Sequence, residues 1–384
     1  MNKIVIIGSG FAGINTAKHL LGKKNIEVTL ISRHDYFLFS PLLHEVATGL
    51  VEPGHVTRPV KNFFSGNFRF VKGLAEGIDT KEKKVYGEGF EESYDFLVLA
   101  LGSCTNYFGV SGAKEHAHPI RSLEETMEIR RHVLPAIDDA MKISDPVQRQ
   151  KAMTFIIVGA GPTGVELAGD LAEVLKTKCD RPRIIIVDMA LEPLNSFSEY
   201  FRAKARKRLE KVGAQLHLGC SVKEVGPDYV IDSKGHRMEA RAIFWGAGFR
   251  PNTVPIDSKT FYSYPVDARM KTAYDKVFAL GDCSHLEING TKVPMLAQVA
   301  EKQAKVAAHN ILYELGMEKN PSEYSHKLDG LVVNIGKFYA IAEVKGKSFD
   351  GFRAWVFRKV IDGLKIPGMA NRLGLIKDWL RSTF

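Results

Sequence analysis

The sequence predicts an α/β protein with two parallel, doubly wound sheets followed by an amphipathic C-terminal segment. Three observations predict it. A strand running into a glycine loop and a helix occurs twice, a second apolar strand follows each helix, and each copy closes on an apolar strand that ends in glycine.

The first copy opens with Ile4-Val5-Ile6-Ile7-Gly8-Ser9-Gly10-Phe11-Ala12-Gly13, the second with Phe155-Ile156-Ile157-Val158-Gly159-Ala160-Gly161-Pro162-Thr163-Gly164. The following strands are Val28-Thr29-Leu30-Ile31 and Ile184-Ile185-Ile186-Val187, which gives one βαβ unit per copy. The closing strands are Phe96-Leu97-Val98-Leu99-Ala100-Leu101-Gly102 and Ala242-Ile243-Phe244-Trp245-Gly246-Ala247-Gly248. Between the copies, Ser122 and Glu125 form a capping box that starts a charged helix through Met141.

Composition narrows the class. With 384 residues, 45% hydrophobic and 25% charged, the chain has material for two or three compact domains. No apolar run reaches the roughly 18 residues of a spanning helix, so membrane contact is expected to be peripheral. Met1-Asn2-Lys3 leads directly into the first strand, leaving no room for a signal peptide, and the expected location is the cytoplasmic side. Cys104, Cys179, Cys220 and Cys283 are widely separated, which predicts reduced thiols, no dithiol pair and no metal centre. The net charge is +9, and residues 345–384 hold nine basic and three acidic residues of it.

Each Gly-x-Gly-x-x-Gly stands between a strand and a helix, the context in which it binds a dinucleotide. Its first glycine makes the turn, its second admits a pyrophosphate, and its third lets helix and strand pack closely. Asp188 ends the second strand of the second copy, where a carboxylate bonds both ribose hydroxyls and repels a 2′-phosphate, favouring NADH. Arg181 and Arg183 nearby oppose that preference. In the first copy the corresponding residue is Ser32, with Arg33 and His34 able to flank an adenine. Val277-Phe278-Ala279-Leu280 ends in Gly281-Asp282, either a turn aspartate or an acceptor for a ribityl hydroxyl. With a glycine loop upstream, the second reading implies FAD.

Together these motifs resemble the two-dinucleotide-domain flavoprotein oxidoreductases, in which an NAD domain is inserted into an FAD domain. Further stretches resemble the type II NADH dehydrogenases, single-subunit NADH:quinone oxidoreductases. They are Asp35-Tyr36-Phe37-Leu38-Phe39-Ser40-Pro41-Leu42-Leu43, Leu101-Gly102-Ser103-Cys104-Thr105-Asn106-Tyr107-Phe108-Gly109 and Ala297-Gln298-Val299-Ala300-Glu301-Lys302-Gln303. The resemblance implies two Rossmann-like domains, an FAD domain at residues 1–115 and 255–325 and an NAD domain at 116–254, with a membrane-docking and quinone-site segment at 326–384.

It implies noncovalent FAD on Gly8, Gly10, Phe11, Ala12, Gly13, Ser32, Arg33, Ala100, Gly102, Gly281, Asp282, Gln298 and Val299. NADH is implied on Gly159, Gly161, Thr163, Gly164, Glu166, Asp188 and Gly246. Gln298 and Gln303 would face the quinone, although a solvated helix residue is the other reading of Gln303. Glu166 would position NADH or pass a proton, or else only complement the helix dipole.

In the tail, Met369, Leu373, Ile376 and Leu380 form a helical apolar stripe beside Arg372, Lys377 and Arg381. Phe352, Trp355, Val356, Val360 and Leu364 form a second apolar arc, into which Arg353 and Lys359 intrude, and Pro367-Gly368 separates the two. The expectation is an interfacial pair of helices, with tryptophans Trp355 and Trp379 at headgroup depth and basic side chains on anionic lipid. Packing on the protein's own core or on a second copy, as a homodimer, is the competing reading. A nucleic acid partner is not expected, because no reading module accompanies the charge. The rivals to an NADH:quinone enzyme are a sulfide:quinone oxidoreductase, which needs a reactive cysteine pair, and a flavin-bound redox sensor with little turnover.

Overall fold

The computed structural model describes residues 1–176 and 182–383, so Cys179 and Arg181 lie outside the described residues. The chain forms two compact units. One comprises Met1–Leu38, Thr57–Cys104 and Phe249–Asp329; the other comprises Phe39–Val56, Thr105–Gly248 and Gly330–Phe384.

In the first unit the strands lie in the order Val277–Ala279, Phe96–Leu99, Asn2–Ile7, Ile26–Ser32, Phe68–Lys72, all parallel. Ile4, Val5, Ile6 and Ile7 are buried, as a parallel strand covered on both faces requires. The helix Phe11–Leu20 buries Ile14, Ala17 and Leu20 and packs along the helix Ala297–Glu314. An antiparallel sheet of Ala75–Asp79, Lys84–Gly87 and Phe90–Ser93 adds Ala75, Ile78 and Val85 to the same core.

The second unit repeats the plan. Its parallel order is His118–Pro119, Ala242–Trp245, Thr154–Val158, Arg183–Asp188, Ala214–Leu218. In both sheets the strand that opens the copy lies between its closing strand and its second strand, as the internal repeat implies. The outer strand differs in origin: Val277–Ala279 comes from late in the chain, and His118–Pro119 precedes its copy.

The capping box forms. Ser122 Oγ accepts the Glu125 N–H at 3.2 Å, and Glu125 Oε2 accepts the Ser122 N–H at 2.9 Å, at the start of the helix Leu123–Ala140. The tail begins with an antiparallel sheet, Gly330–Asn334, Ala340–Val344 and Lys347–Gly351, and continues as the helices Phe352–Lys365 and Met369–Thr383. Gly368 bridges the helices at φ +96°, where a side chain would be strained.

Both tail helices have two faces. Outward lie Phe352, Val356, Val360 and Leu364 on the first and Met369, Leu373, Ile376 and Leu380 on the second, 39–67% exposed. Inward lie Ala354, Asp362, Leu375 and Asp378, all buried. The apolar stripe is therefore not spent on the unit's own core. Trp379 departs from expectation, since its Nε1 donates to the buried Glu45 at 2.8 Å, whereas Trp355 stays partly exposed, stacked on the outward Phe352 at 5.8 Å and edge-on to Phe338 at 5.1 Å. Lys359 does not intrude on the outer arc either, because its ammonium turns inward to Glu45 at 2.5 Å. Their partners lie far away in sequence, beyond the reach of a helical-periodicity argument.

The glycine loops rest on one steric contact. A Cβ at Gly164 would stand 1.9 Å from the Gly159 carbonyl oxygen, and one at Gly13 equally close to that of Gly8, whereas Gly161 and Gly10 have nothing within 4 Å. Gly164→Ala is expected to cost about 2–3 kcal/mol as an overpacked contact. Gly161→Ala is expected to stay within about 0.5 kcal/mol of the parent. Denaturant unfolding of the two variants checks the contrast.

Candidate active site: two glycine loops and a buried charge cluster

In the first unit the loop Gly8-Ser9-Gly10 delivers the chain to a helix that has no side-chain cap and no acid in its first turn. The open side of Gly10 and these uncapped N–H groups suit the charge and bulk of a pyrophosphate. Ser9 Oγ lies 3.0 Å from Ser32 Oγ and donates to the Tyr36 carbonyl at 3.1 Å, which ties the loop to the end of the second strand. Arg33 is exposed beside it, and Phe11 meets Phe37 edge-on at 5.0 Å. Ala100 donates its N–H to the Ile7 carbonyl at 2.9 Å, and the Gly102 carbonyl accepts the Asn252 N–H at 2.9 Å, so the closing strand and its turn frame the same edge.

Asp282 lies in a short 3-10 turn after the strand Val277–Ala279, and its Oδ2 accepts the Ser103 hydroxyl at 2.6 Å. Gln303 is 2% exposed, and its Oε1 accepts the Gly281 N–H at 2.7 Å. It is therefore not a solvated helix residue; it holds the Gly281-Asp282 turn. Gln298, in the uncapped first turn of Ala297–Glu314, stays partly exposed and accepts the Asp329 N–H at 3.0 Å, while Val299 beside it is buried.

The second unit presents the same loop with a carboxylate added. Asp188 Oδ2 accepts the Ala160 N–H at 2.6 Å and Oδ1 accepts the Ala190 N–H at 2.7 Å, which fixes it beside the glycine loop. Arg183 is exposed and its Nε donates to Gln215 at 2.9 Å. Gly246 donates to the Val158 carbonyl at 2.8 Å, and a Cβ there would come within 3.3 Å of the Gly164 nitrogen. Thr163 is half-buried at the helix start.

Glu166 is more than a helix-end charge. It is 8% exposed, lies past the first turn of Pro162–Lys176, and points into a cluster assembled from three segments of the unit. His44 Nε2 stands 3.7 Å from Glu166 Oε2, and His44 Nδ1 bonds Asp170 Oδ2 at 2.6 Å. Arg358 approaches Glu166 Oε1 at 3.8 Å and donates to Asp362 at 2.6 Å, to the Val332 carbonyl at 3.0 Å and to the Pro41 carbonyl at 3.3 Å. The Asn334 N–H donates to Glu166 at 3.3 Å. Gly169 makes this approach possible, since a Cβ there would meet the Gly336 nitrogen at 2.4 Å.

Burial pushes the Glu166 and Asp170 carboxyls above the usual carboxylate range, and the cationic His44 only partly offsets that. Burial also disfavours charge on His44, but the carboxylates of Glu166 and Asp170 prevail and raise it to about 9. His44 Nε2 and Asn334 Oδ1 are buried with no hydrogen-bond partner among the described residues, so two polar atoms beside Glu166 await a partner. Such a group can hold a proton at neutral pH and exchange it through a small polar molecule.

Sequence reasoning found Glu166 and missed His44, Asp170, Asn334, Arg358 and Lys359. One signal was available: Glu166 and Asp170 stand four apart, on one face of a helix whose residues between and beside them, Val165, Leu167, Ala168, Leu171 and Ala172, are apolar. Cys104, Cys220 and Cys283 are free thiols. Cys283 donates to the carbonyls of Leu99 and Leu280 at 3.3 Å, and burial raises its thiol to about 12, the opposite of a reactive thiolate.

Comparison with known proteins places this geometry. Residues 2–304 match the pyridine nucleotide-disulphide oxidoreductase family. The type II NADH:quinone oxidoreductase Ndh of Mycobacterium tuberculosis is 30% identical over 410 residues, covering 98% of this chain and 87% of that protein. Two solved structures share the fold. One is NDH2 of Plasmodium falciparum in complex with NADH, with a TM-score of 0.89, 18% identity and 100% and 98% coverage of the two chains. The other is the sulfide:quinone oxidoreductase of Aquifex aeolicus, with a TM-score of 0.79, 20% identity and 97% and 92% coverage. The chain belongs to the pyridine nucleotide-disulphide oxidoreductase family and, within it, to the type II NADH:quinone oxidoreductases.

Proposed function

We propose that this chain binds FAD noncovalently at its first glycine loop and NADH at its second, and passes the electron pair to a membrane quinone without pumping protons. The observation that carries the reading is the duplicated loop, each copy with open space at its second glycine and a helix N-terminus behind it. When bound, the flavin takes hydride from NADH and hands two electrons to quinone, chemistry that belongs to the cofactors. The protein supplies placement, selectivity and protons.

In this reading Gly8, Gly10 and Gly13 cradle the FAD pyrophosphate, Ser32 and Arg33 meet its adenosine half, and Asp282 accepts from its ribityl chain. Gln303 acts from behind by holding Gly281, and Gln298 is the glutamine left to meet the quinone. Residues 1–115 with 255–325 would serve FAD and 116–254 would serve NADH. Glu166 and His44 form a proton store for quinol formation, since quinone takes up two protons with its two electrons.

The tail docks on the membrane at the cytoplasmic face. Eight apolar side chains on the two outer faces stand in water. Covering what they expose is worth on the order of 5–10 kcal/mol, against about 1 kcal/mol for each basic residue near anionic lipid. Summed over the basic residues of the tail the two contributions are comparable, so salt should weaken binding without abolishing it. A second copy of the chain is the rival occupant of this face.

Purified protein titrated anaerobically with NADH should bleach its flavin, and with a soluble quinone it should turn over. A flavin-loaded protein that does not turn over would establish the sensor reading instead. Asp188→Ser should narrow the ratio of kcat/KM for NADH over NADPH by at least about tenfold, through loss of the diol acceptor and of repulsion toward a 2′-phosphate. An unchanged ratio removes Asp188 from selection.

Leu364→Glu with Leu373→Glu should release the protein from anionic vesicles and slow reduction of a long-chain quinone more than of a water-soluble one. Removing the tail outright is a poorer test, because Arg358, Lys359 and Asp362 would leave the buried cluster with it. Vesicle binding unchanged in the double variant would assign the face to another partner.

Glu166→Gln should lower kcat for quinone reduction by about 100-fold while leaving KM for NADH within a few-fold. His44 carries a linked prediction. Its folded value of about 9 lies above the ordinary 6.5 under the influence of Glu166, Asp170 and Glu45, so its contribution is complete below pH 6.5 and is lost as pH rises through 9. Relative to His44→Gln, the parent should lose on the order of 2–3 kcal/mol of unfolding free energy across that window. Urea unfolding at stepped pH measures it.

A further inference from the structure

His217 ends the inner part of the edge strand Ala214–Leu218, Asp232 ends the strand Tyr229–Asp232, and His236 stands in the turn before Arg237–Glu239. Asp232 is fully buried, and its Oδ1 accepts the N–H groups of Lys234 at 2.8 Å and His236 at 2.9 Å. Its Oδ2 faces two imidazoles, His217 Nε2 at 2.7 Å and His236 Nδ1 at 2.9 Å. The three donor atoms lie within 4.8 Å of one another. From this geometry we propose that the second unit carries a binding site for a late first-row divalent cation, with zinc as its redox-silent representative, ligated by His217, Asp232 and His236.

The donor set selects the metal class. Two imidazole nitrogens and one carboxylate oxygen suit zinc, copper or nickel and not magnesium or calcium, which take all-oxygen shells. Ligand bonds of about 2.0–2.2 Å set tetrahedral donors about 3.3 Å apart. The present contacts therefore open by about half an ångström, which ring rotation supplies, since the two imidazoles meet nearly perpendicular with centroids 6.0 Å apart. Each imidazole then presents its lone pair at the atom that now donates to Asp232, and the ring proton moves to the other nitrogen. The two backbone N–H groups on Oδ1 hold the carboxylate in place from behind, as second-sphere bonds do in metal sites.

The side chain of His236 is 64% exposed, so a water completes the coordination sphere and the ion enters from solvent. Arg237 does not compete, because its guanidinium lies over the Tyr229 ring at 3.5 Å. The ion would staple the edge of the parallel sheet to the adjoining hairpin, and its binding energy would appear as stability.

The test is a zinc titration of the metal-stripped, flavin-loaded full chain by calorimetry, with melting followed in parallel. The parent should bind one zinc per chain and melt at a higher temperature with it, and magnesium should do neither. His236→Ala and His217→Ala should each weaken binding by about 100-fold or more, since even outer-sphere partners cost 10–100-fold. His236→Cys should recover it, because a thiolate restores a zinc donor. His236 is the exposed member, so its variants should melt like the parent without zinc. No zinc binding by the parent at up to about a hundred micromolar, or equal affinity in the histidine variants, overturns the proposal.

Discussion

Four carboxyl groups, Glu45, Glu166, Asp170 and Asp362, share one buried region of the second unit with three bases, His44, Arg358 and Lys359. Even with all three bases charged, the cluster is neutral only if one carboxyl keeps a proton. Unpaired buried charge costs several kcal/mol, so burial favours keeping that proton. Glu45 does not hold it. Burial favours its neutral form, but Lys359 and His44 prevail and keep it below its usual range. Glu166 and Asp170 are both raised, and they flank the same imidazole. Burial raises Asp362 as well, against the pull of Arg358, so the pressure to keep a proton falls on three of the four carboxyls, two of them beside His44.

This requirement explains the make-up of the second unit. His44 and Glu45 come from Phe39–Val56, Glu166 and Asp170 from the helix after the glycine loop, and Arg358, Lys359 and Asp362 from the tail. Each segment brings charges that it could not bury alone. Asp378 shows the same economy on a smaller scale: it accepts the Glu52 N–H at 2.9 Å and bonds His55 at 2.5 Å, with Gly374 leaving room for that imidazole. The tail is thus part of the unit's interior chemistry as well as its outer surface.

The glycine loops were legible in the sequence because the third glycine of each answers a steric demand from the first, five residues back in the chain. The capping box, the break at Gly368 and the outer stripe were legible for the same reason, since helix geometry alone relates their members. The buried cluster was not. His44 and Asp170 are separated by 126 residues, Glu45 and Lys359 by 314, and nothing in a periodic pattern links them. Trp379 shows the cost of reading locally: its place in a basic amphipathic tail suggests a lipid-facing ring, yet its N–H answers Glu45 from 334 residues away. His217, Asp232 and His236 escaped for a subtler reason. Their spacing has no regular period, and only the pairing of an edge strand with a hairpin turn brings them to one oxygen.

The two faces of the helix Phe352–Lys365 join these strands of argument. Arg358 and Asp362 are bonded to each other four residues apart on its inner side, while Val356, Val360 and Leu364 repeat at the same interval on its outer side. Rotating the helix to hide the outer face would withdraw Arg358 from Glu166, Val332 and Pro41, leaving buried acceptors and a buried charge without their partner. That loss exceeds the gain from covering three partly exposed aliphatic side chains. The inner ion pairs therefore hold the apolar face toward solvent, and the exposed apolar surface is a consequence of the buried charge cluster.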